Sequence, residues 1–141
     1  MNRLSRTDAG PIGAVHFCSH CGALAPDVPE RVCAECGLGV VLSCASVLLP
    51  RAGAAFLVVK SDLRIAAASV TVEPLLGDPA ALVGEPLLEV LSGDPGLARS
   101  IVRAAMGSQR VATVALRRGP RRVNGRIGAC GDPPAALLVL G

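Results

Sequence analysis

Apolar segments of strand length dominate the chain from residue 54 onward, and they predict a sheet. In the segment RVATVALR, residues Ala112, Val114 and Leu116 share one face by the two-residue period of a strand. In RRVNGRIGAC, Val123 and Ile127 share a face in the same way. Five strands are predicted: AFLVVK (55–60), LRIAAAS (63–69), RVATVALR (110–117), RRVNGRIGAC (121–130) and AALLVL (135–140).

Between the second and third predicted strands, the sequence carries the signals of helices. Asp78 and Asp94 each precede a proline, which is typical of a helix start with Asp as the N-cap. Gly107 stands where the C′ glycine of the last helix belongs. The first segment, SVTVEPLLG (69–77), is predicted to be short or distorted because it combines three β-branched residues with Pro74. The order β-β-α-α-α-β-β-β predicts an α+β domain with an antiparallel sheet and its helices on one face.

The stretch before this domain is organised by cysteines. Cys18 and Cys21 are separated by two residues, as are Cys33 and Cys36, and eleven residues lie between the pairs. Each C-x-x-C turn directs two sulfur atoms to one point, and two such turns joined by a hairpin give a tetrahedron of sulfurs, the geometry of structural zinc. The spacing therefore predicts a zinc site with these four cysteines as ligands.

Other chemistries for these cysteines are less well supported. A rubredoxin-like iron site uses the same pattern and remains an open alternative. A thioredoxin-type redox motif needs a single C-x-x-C beside a βαβ unit, and disulfides are rare in a reducing compartment. We expect His16 and His20 to lie outside the shell, because four cysteines already complete it. A closed four-sulfur shell is structural rather than catalytic, since it leaves no open position.

Four segments follow from these patterns. Residues 1–13 are predicted to be a disordered N-terminus, and residues 14–42 resemble a zinc ribbon on the cysteine spacing. Residues 43–53 are predicted to be a linker, because the stretch SVLLPRAG (46–53) has no clear period. Residues 54–141 form the α+β domain.

The α+β domain resembles a PAS domain. AFLVVKSDLRIAAAS (55–69) is similar to the family's opening hairpin, although its turn lacks the usual D-x-x-G pattern. LLGDPAALVGEPLLEVL (75–91) is similar to the family's LLG…LVG-P-L-E-L segment. The resemblance implies a five-stranded antiparallel sheet with helices on one face, and a role as a sensor or protein-interaction module.

Residues for a cofactor or for catalysis are not evident. Residues 54–141 contain no histidine for a haem, and no cysteine lies between Ala45 and Ala129 for a photoactive flavin. The chain also offers no Ser/His/Asp arrangement and no phosphate loop, so we expect a protein that is not an enzyme. A small apolar ligand would have to be lined by aliphatic side chains, a set more typical of plain core: Val58, Ile65, Leu76, Val83, Leu88, Ile101, Val114 and Ile127.

Two further features permit two interpretations each. Cys44 and Cys130 are either small space-filling residues or redox-sensitive thiols, and alternation places Cys130 on the strand face of Arg126. The run RRGPRR, Arg117 to Arg122, lies on a predicted hairpin turn. It is either a solvated loop or a contact for phosphates or an acidic partner.

Composition adds the setting. Hydrophobic residues make up 51% of the chain, aromatic residues 1%, and the net charge is +3. Thirteen Arg against one Lys suggest a high-GC bacterial genome, such as that of an actinobacterium. The chain shows no signal peptide and no apolar run long enough to span a bilayer, so we expect a cytoplasmic protein without membrane contact.

The sequence thus predicts a non-enzymatic regulatory protein in which a zinc ribbon is joined to a PAS-like domain. It would act by binding a protein partner or a second copy, or by sensing a small apolar ligand. The alternative is a nucleic-acid-associated transcriptional regulator that uses the ribbon and the Arg117–Arg122 turn. The scarcity of aromatic residues counts against that alternative, because single-strand binders rely on aromatic stacking.

Overall fold

The computed structural model of the chain describes residues 14–25, 33, 36, 39–51 and 53–141. The predicted disordered segment, residues 1–13, lies outside the described residues, as does most of the second cysteine turn. The described part has a mixed α/β architecture in which one antiparallel sheet carries a few short helices. The fold class expected from the hydrophobic pattern is therefore confirmed at this level.

The elements of residues 54–141 follow the predicted order with two additions, a third single-turn helix and a short strand before the last helix. The described strands are β1 (Ala14–Cys18), β2 (Leu24–Ala25), β3 (Val41–Ala45), β4 (Ala55–Val59), β5 (Ile65–Ala68), β6 (Ser92–Gly93), β7 (Ala112–Arg118), β8 (Arg121–Cys130) and β9 (Ala135–Leu140). The helices are α1 (Glu73–Leu76), α2 (Pro79–Leu82), α3 (Leu87–Val90) and α4 (Leu97–Ala105), with 3₁₀ turns at Ser46–Leu48 and Val70–Val72. The two-residue strand β6 was not predicted.

All described strands belong to one sheet. Its order is β2-β1-β3-β8-β9-β4-β5, with β7 beside β8 and β6 beside β7. The long strand β8 makes this possible, because one of its edges serves two neighbours. That edge pairs with β7 from Arg121 to Ile127 and with β3 at Cys130, while the other edge pairs with β9. Strands β1 to β3, which come from the segment before residue 54, therefore extend the sheet formed by residues 54–141.

Hydrophobic side chains are buried on both faces of this sheet. One core lies between the sheet and the helices, and its largest fully buried members are Leu57, Ile65, Leu87, Leu91, Leu97, Ile101, Leu116 and Ile127. A second core lies on the opposite face, and its members are Phe17, Cys44, Leu48, Phe56, Val58, Cys130, Leu137 and Val139. Phe17 comes from β1 and Leu48 from the first 3₁₀ turn. The segment before residue 54 thus covers part of the face that the helices leave open.

The predicted linker, residues 43–53, needs a correction at its start. Residues 43–45 end strand β3, and Cys44 is the register partner of Cys130. The 3₁₀ turn that follows buries Leu48 against Gly128, where a Cβ atom would lie only 2.6 Å from Leu48 Cδ2. Sequence periodicity missed this strand because it is defined by pairing with β1, more than twenty residues earlier, and by the single bridge from Cys44 to Cys130.

The helix signals are correct at α2 and misplaced at α4. Asp78 Oδ1 accepts a hydrogen bond of 3.0 Å from the Ala80 amide, which is the predicted N-cap. The other candidate, Asp94, instead accepts from the Gly96 amide at 2.8 Å, and α4 begins only at Leu97. The first helical segment is a 3₁₀ turn followed by the single turn α1, as its β-branched residues and proline predict. No helix in the described ranges is long and apolar enough to cross a membrane.

Candidate functional site

The first cysteine turn begins where strand β1 ends. The Gly22 amide donates to Cys18 O and the Cys18 amide to Ala23 O, both at 3.0 Å, which closes the chain back on itself. Gly22 has a φ of +77°, a left-handed conformation that favours glycine, and a Cβ at this position would also approach the Phe56 ring at 3.3 Å. The turn thus depends on the conformation of Gly22, and it lies close to Phe56 of the sheet.

The four cysteines predicted to bind zinc lie together. Their sulfur atoms are all within 4.8 Å of one another. Cys18 Sγ lies 3.7 Å from Cys36 Sγ, and Cys21 Sγ lies 3.8 Å from Cys33 Sγ. A tetrahedron with Zn–S bonds of about 2.3 Å has S···S edges of about 3.8 Å. The sulfur positions therefore fit one tetrahedral thiophilic ion, whereas a disulfide would require about 2.05 Å.

The surroundings of the sulfurs suit bound thiolates. The amides of His20 and Cys21 point at Cys18 Sγ, at 3.3 and 3.4 Å, and such donors stabilise negative charge on sulfur. Burial, together with hydrogen bonds from the neighbouring thiols, raises the pKa of Cys21. Four thiolates at this spacing would need a cation to offset their charge, and a divalent metal ion would supply it.

The two histidines do not join the four-sulfur cluster. His20 serves the fold through its main chain, because its carbonyl accepts a 2.7 Å hydrogen bond from the Val70 amide. Its Nδ1 atom is buried and has no hydrogen-bond partner within the described part of the chain. The hydrogen bond from the Val70 amide to the His20 carbonyl connects the cysteine turn to the 3₁₀ turn Val70–Val72.

Gly39 closes the cluster from the side of the second cysteine turn. Its carbonyl accepts from the Cys33 amide at 2.9 Å. A Cβ at residue 39 would overlap Cys18 Sγ and would lie 2.8 Å from His20 Cβ. The cysteine spacing does not indicate a role for this residue, and the only sequence signal for it is a second glycine three residues after Cys36.

The cluster is tied to the sheet through the two phenylalanines of the chain. The rings of Phe17 and Phe56 meet edge to face, with centroids 5.5 Å apart, and both side chains are fully buried. Phe17 immediately precedes Cys18, one of the predicted ligands, while Phe56 lies in β4. The candidate metal centre is therefore continuous with the second core of the molecule.

Cys44 and Cys130 form a separate pair on the strands that join the two parts. The Gly131 amide donates to Ser43 O at 2.8 Å, which places Cys44 and Cys130 in a non-hydrogen-bonded register pair, where side chains lie close. Burial raises the pKa of Cys44 to about 11, and burial and the neighbouring Cys44 raise that of Cys130 to about 12. Arg126 binds Val47 O at 2.7 Å. The structure therefore favours space-filling thiols and does not support an activated thiolate beside Arg126.

The basic run forms the tight hairpin between β7 and β8. Its register places Arg117 opposite Arg122 and Arg118 opposite Arg121. Arg118 points to the helix side and donates to Val90 O at 2.9 Å and to Leu76 O at 3.5 Å. The other three arginines are exposed. The run is thus divided between one structural side chain and three that face solvent.

The residues suggested for an apolar pocket do not surround one cavity. Val58 belongs to the core on the opposite face of the sheet, and Val83 and Leu88 are 51% and 47% exposed. The other five are part of the core between sheet and helices: Ile65, Leu76, Ile101, Val114 and Ile127. Clefts occur instead on the surface, and one of about 390 Å³ lies beside Arg117, Arg122 and Asn124.

Comparisons with known proteins give distant structural similarities. No family model matches the chain, and no curated protein matches it. A domain of an HTR-like protein from Haloarcula marismortui is 19% identical, with a TM-score of 0.47 over 63% of this chain and 96% of that one. The PAS domain of nitrogen regulation protein NR(II) from Vibrio parahaemolyticus is 18% identical, with a TM-score of 0.48 over 67% of this chain and 92% of that one. Similarity of this degree carries no conclusion about function.

Proposed function

We propose that the protein is a non-enzymatic regulatory binding module whose N-terminal ribbon is held by a structural zinc ion. Cys18, Cys21, Cys33 and Cys36 are the proposed ligands. The observation that carries the assignment of a metal site is the pair of S···S distances, 3.7 and 3.8 Å, within a set of four mutually close sulfurs. The paired C-x-x-C spacing favours zinc as the ion. Four sulfurs fill a tetrahedral shell, so the ion would have a structural role and would not bind substrate.

The binding role is supported by the arrangement of the sheet. An antiparallel sheet with a few short helices, as the PAS resemblance implies, is consistent with residues 54–141. The ribbon strands continue the same sheet, and Phe17 and Leu48 cover part of the face opposite the helices. In this proposal the metal fixes the ribbon on the sheet, and the surface that remains exposed binds the partner.

The zinc assignment is tested by native mass spectrometry of the purified protein. We expect one zinc ion per chain and no visible absorption, because Zn²⁺ has a filled d shell. Cys33→Ala should lose the ion. Cys44→Ala, the same change at a buried cysteine outside the cluster, should retain it. Visible absorption from bound iron would contradict zinc, and metal retention by Cys33→Ala would contradict the ligand set.

The alternative, a nucleic-acid-associated regulator, rests on the exposed arginines of the β7–β8 hairpin. Two observations weaken it: Arg118 is engaged with helix carbonyls, and both phenylalanines are buried, so neither can stack on a base. Retention on heparin and on DNA across a salt series tests it. Binding that falls steeply with salt would favour it, since released counterions set that dependence.

A further inference from the structure

The β7–β8 hairpin carries a pair of arginines that the fold does not use. Arg117 and Arg122 are register partners, and alternation places both on the sheet face opposite the helices. Like charges directly opposite each other destabilise a strand pair. Neither side chain makes a hydrogen bond or an ion pair with any residue in the described ranges. This pair therefore weakens the hairpin unless an anion lies between its guanidinium groups.

The carboxylates beside this pair are few. Asp94 lines the same cleft of about 390 Å³, and its Oδ1 already accepts the Gly96 amide at 2.8 Å. Glu89 lines the neighbouring cleft, which Arg117 also borders. Arg126, on the same strand face, is bound to Val47 O. The cleft that contains Arg117 and Arg122 thus has positive charge that is not neutralised within the described chain.

The edge of β7 next to this pair is open. The Gly141 amide donates to Asn124 O at 2.7 Å, so the main-chain groups of Asn124 point toward β9. Ala115 is the register partner of Asn124, and its main-chain groups therefore point away from β8, as do those of Thr113. Strand β6 pairs only with Leu116 and Arg117. Among the described residues, none pairs with Thr113 or Ala115 along that edge, and both are exposed.

The geometry points to an acidic peptide in extended conformation as the partner: it would add a short strand to the open edge of β7 and place carboxylates on Arg117 and Arg122. This inference rests on the proposed function as a binding module and names its surface and partner chemistry. Strand addition supplies main-chain hydrogen bonds, and alternate side chains of the peptide would face the arginines. Arginine suits this role because its planar fork binds carboxylates with two parallel hydrogen bonds.

The open edge favours a peptide over the other occupants. A nucleic acid has no amide backbone with which to extend a sheet, and no aromatic side chain is exposed here for a base. A second copy in symmetric edge pairing would bring its own Arg117 and Arg122 toward the same charges. An acidic peptide can form hydrogen bonds with the open main chain of β7 and can also neutralise Arg117 and Arg122.

The test is fluorescence anisotropy of the full chain at low salt with a labelled ten-residue peptide of alternating Glu and Thr. We expect the double variant Arg117→Ala/Arg122→Ala to bind about fivefold to tenfold more weakly. The control Arg99→Ala/Arg103→Ala removes the same charge from exposed positions on α4 and should bind like the parent protein. Thermal unfolding of each variant checks that it is folded.

Strand addition is tested separately from charge. Ala115→Pro removes the outward amide without touching the β8 ladder and should abolish peptide binding. The same peptide with N-methyl groups on alternate residues lacks the main-chain donors needed for strand addition. It tests strand addition without a change in the protein, and it should also fail to bind. A twelve-nucleotide single-stranded DNA is the competing probe.

Four outcomes would overturn the inference: no binding of the peptide at low salt, equal binding by the N-methylated peptide, equal binding by the double variant, or tighter binding of the DNA than of the peptide. None of them bears on the metal content of the protein. A failure here thus remains distinct from a failure of the proposed zinc ribbon, which the mass spectrum decides.

Discussion

At the scale of single residues, the two groups of cysteines differ in what surrounds them. The sulfur atoms of the four predicted ligands lie within 4.8 Å of one another, and that of Cys18 accepts two main-chain amides. Cys44 and Cys130 are buried among apolar side chains. The C-x-x-C spacing identified the first group because it is a local pattern. The second group depends on a strand pair that joins residue 44 to residue 130, and local spacing contains no information about such pairing.

Gly39 offers a sharp test of the cluster's geometry. A Cβ at this position would overlap Cys18 Sγ, and hydrogen bonds on both sides fix the chain, from Cys33 to Gly39 O and from Ser19 to Val40 O. We expect Gly39→Ala to lower the free energy of unfolding by about 2–3 kcal/mol and to weaken metal retention. Thermal unfolding and metal analysis measure both effects.

Gly96→Ala is the matched control for this substitution. Gly96 also has a negative φ, of −83°, and a Cβ there would approach nothing nearer than Asp94 Oδ1 at 3.1 Å. It should change stability little and leave the metal in place. Equal behaviour of the two alanine variants would show that Gly39 is not packed against the cluster as described.

At the scale of elements, Arg118 connects the end of β7 to two short helices. Its guanidinium donates to the last carbonyls of α3 and α1, Val90 O and Leu76 O, where the negative ends of helix dipoles lie. We expect Arg118→Ala to lower the free energy of unfolding by about 1 kcal/mol. Arg118→Lys should recover part of the loss, because an ammonium group is a single point donor. Chemical denaturation measures the series.

Arg117→Ala is the control on the neighbouring position. It removes an exposed arginine that faces Arg122, so the free energy of unfolding of this variant should be unchanged or slightly higher than that of the parent protein. The two substitutions should therefore have different effects: Arg118→Ala should lower stability, and Arg117→Ala should weaken binding of the acidic peptide. Loss of stability in both variants to the same extent would contradict the distinct roles given to these side chains.

The elements that the sequence predicted well are those bounded by strong turn residues. The predicted strands at 121–130 and 135–140 coincide with β8 and β9, because Gly119-Pro120 and the segment GDPP delimit them. The start of α4 was misplaced since Asp94 caps a turn rather than the helix. Strand β6 has only two residues, and the last three residues of β3 lie in the predicted linker. Both are defined by distant partners, which a periodic pattern does not reveal.

At the scale of the whole molecule, the segment before residue 54 and the rest of the sheet share one hydrophobic core. Phe17, on the strand that leads into Cys18, packs on Phe56 of the central sheet, and Leu48 packs on Gly128. The chain has only two aromatic residues, and both take part in this one contact between β1 and β4. Removal of the proposed metal should consequently disturb more than strands β1 to β3, since the first cysteine turn and the core contact are one residue apart.

Chelation tests this coupling directly. We expect a strong zinc chelator to lower the midpoint of the parent protein's unfolding as a single transition, followed both by far-ultraviolet circular dichroism and by hydrogen exchange of β4 and β9. Phe17→Ala should cost about 3–5 kcal/mol and make exchange in β4 insensitive to the chelator, because the contact that transmits the effect is lost. Leu82→Ala, a buried change in the helix-side core, should destabilise the protein while leaving that sensitivity intact. If the chelator altered ribbon residues alone and left β4 and β9 protected, the two parts would be energetically independent and the ribbon would not be a structural part of the sheet.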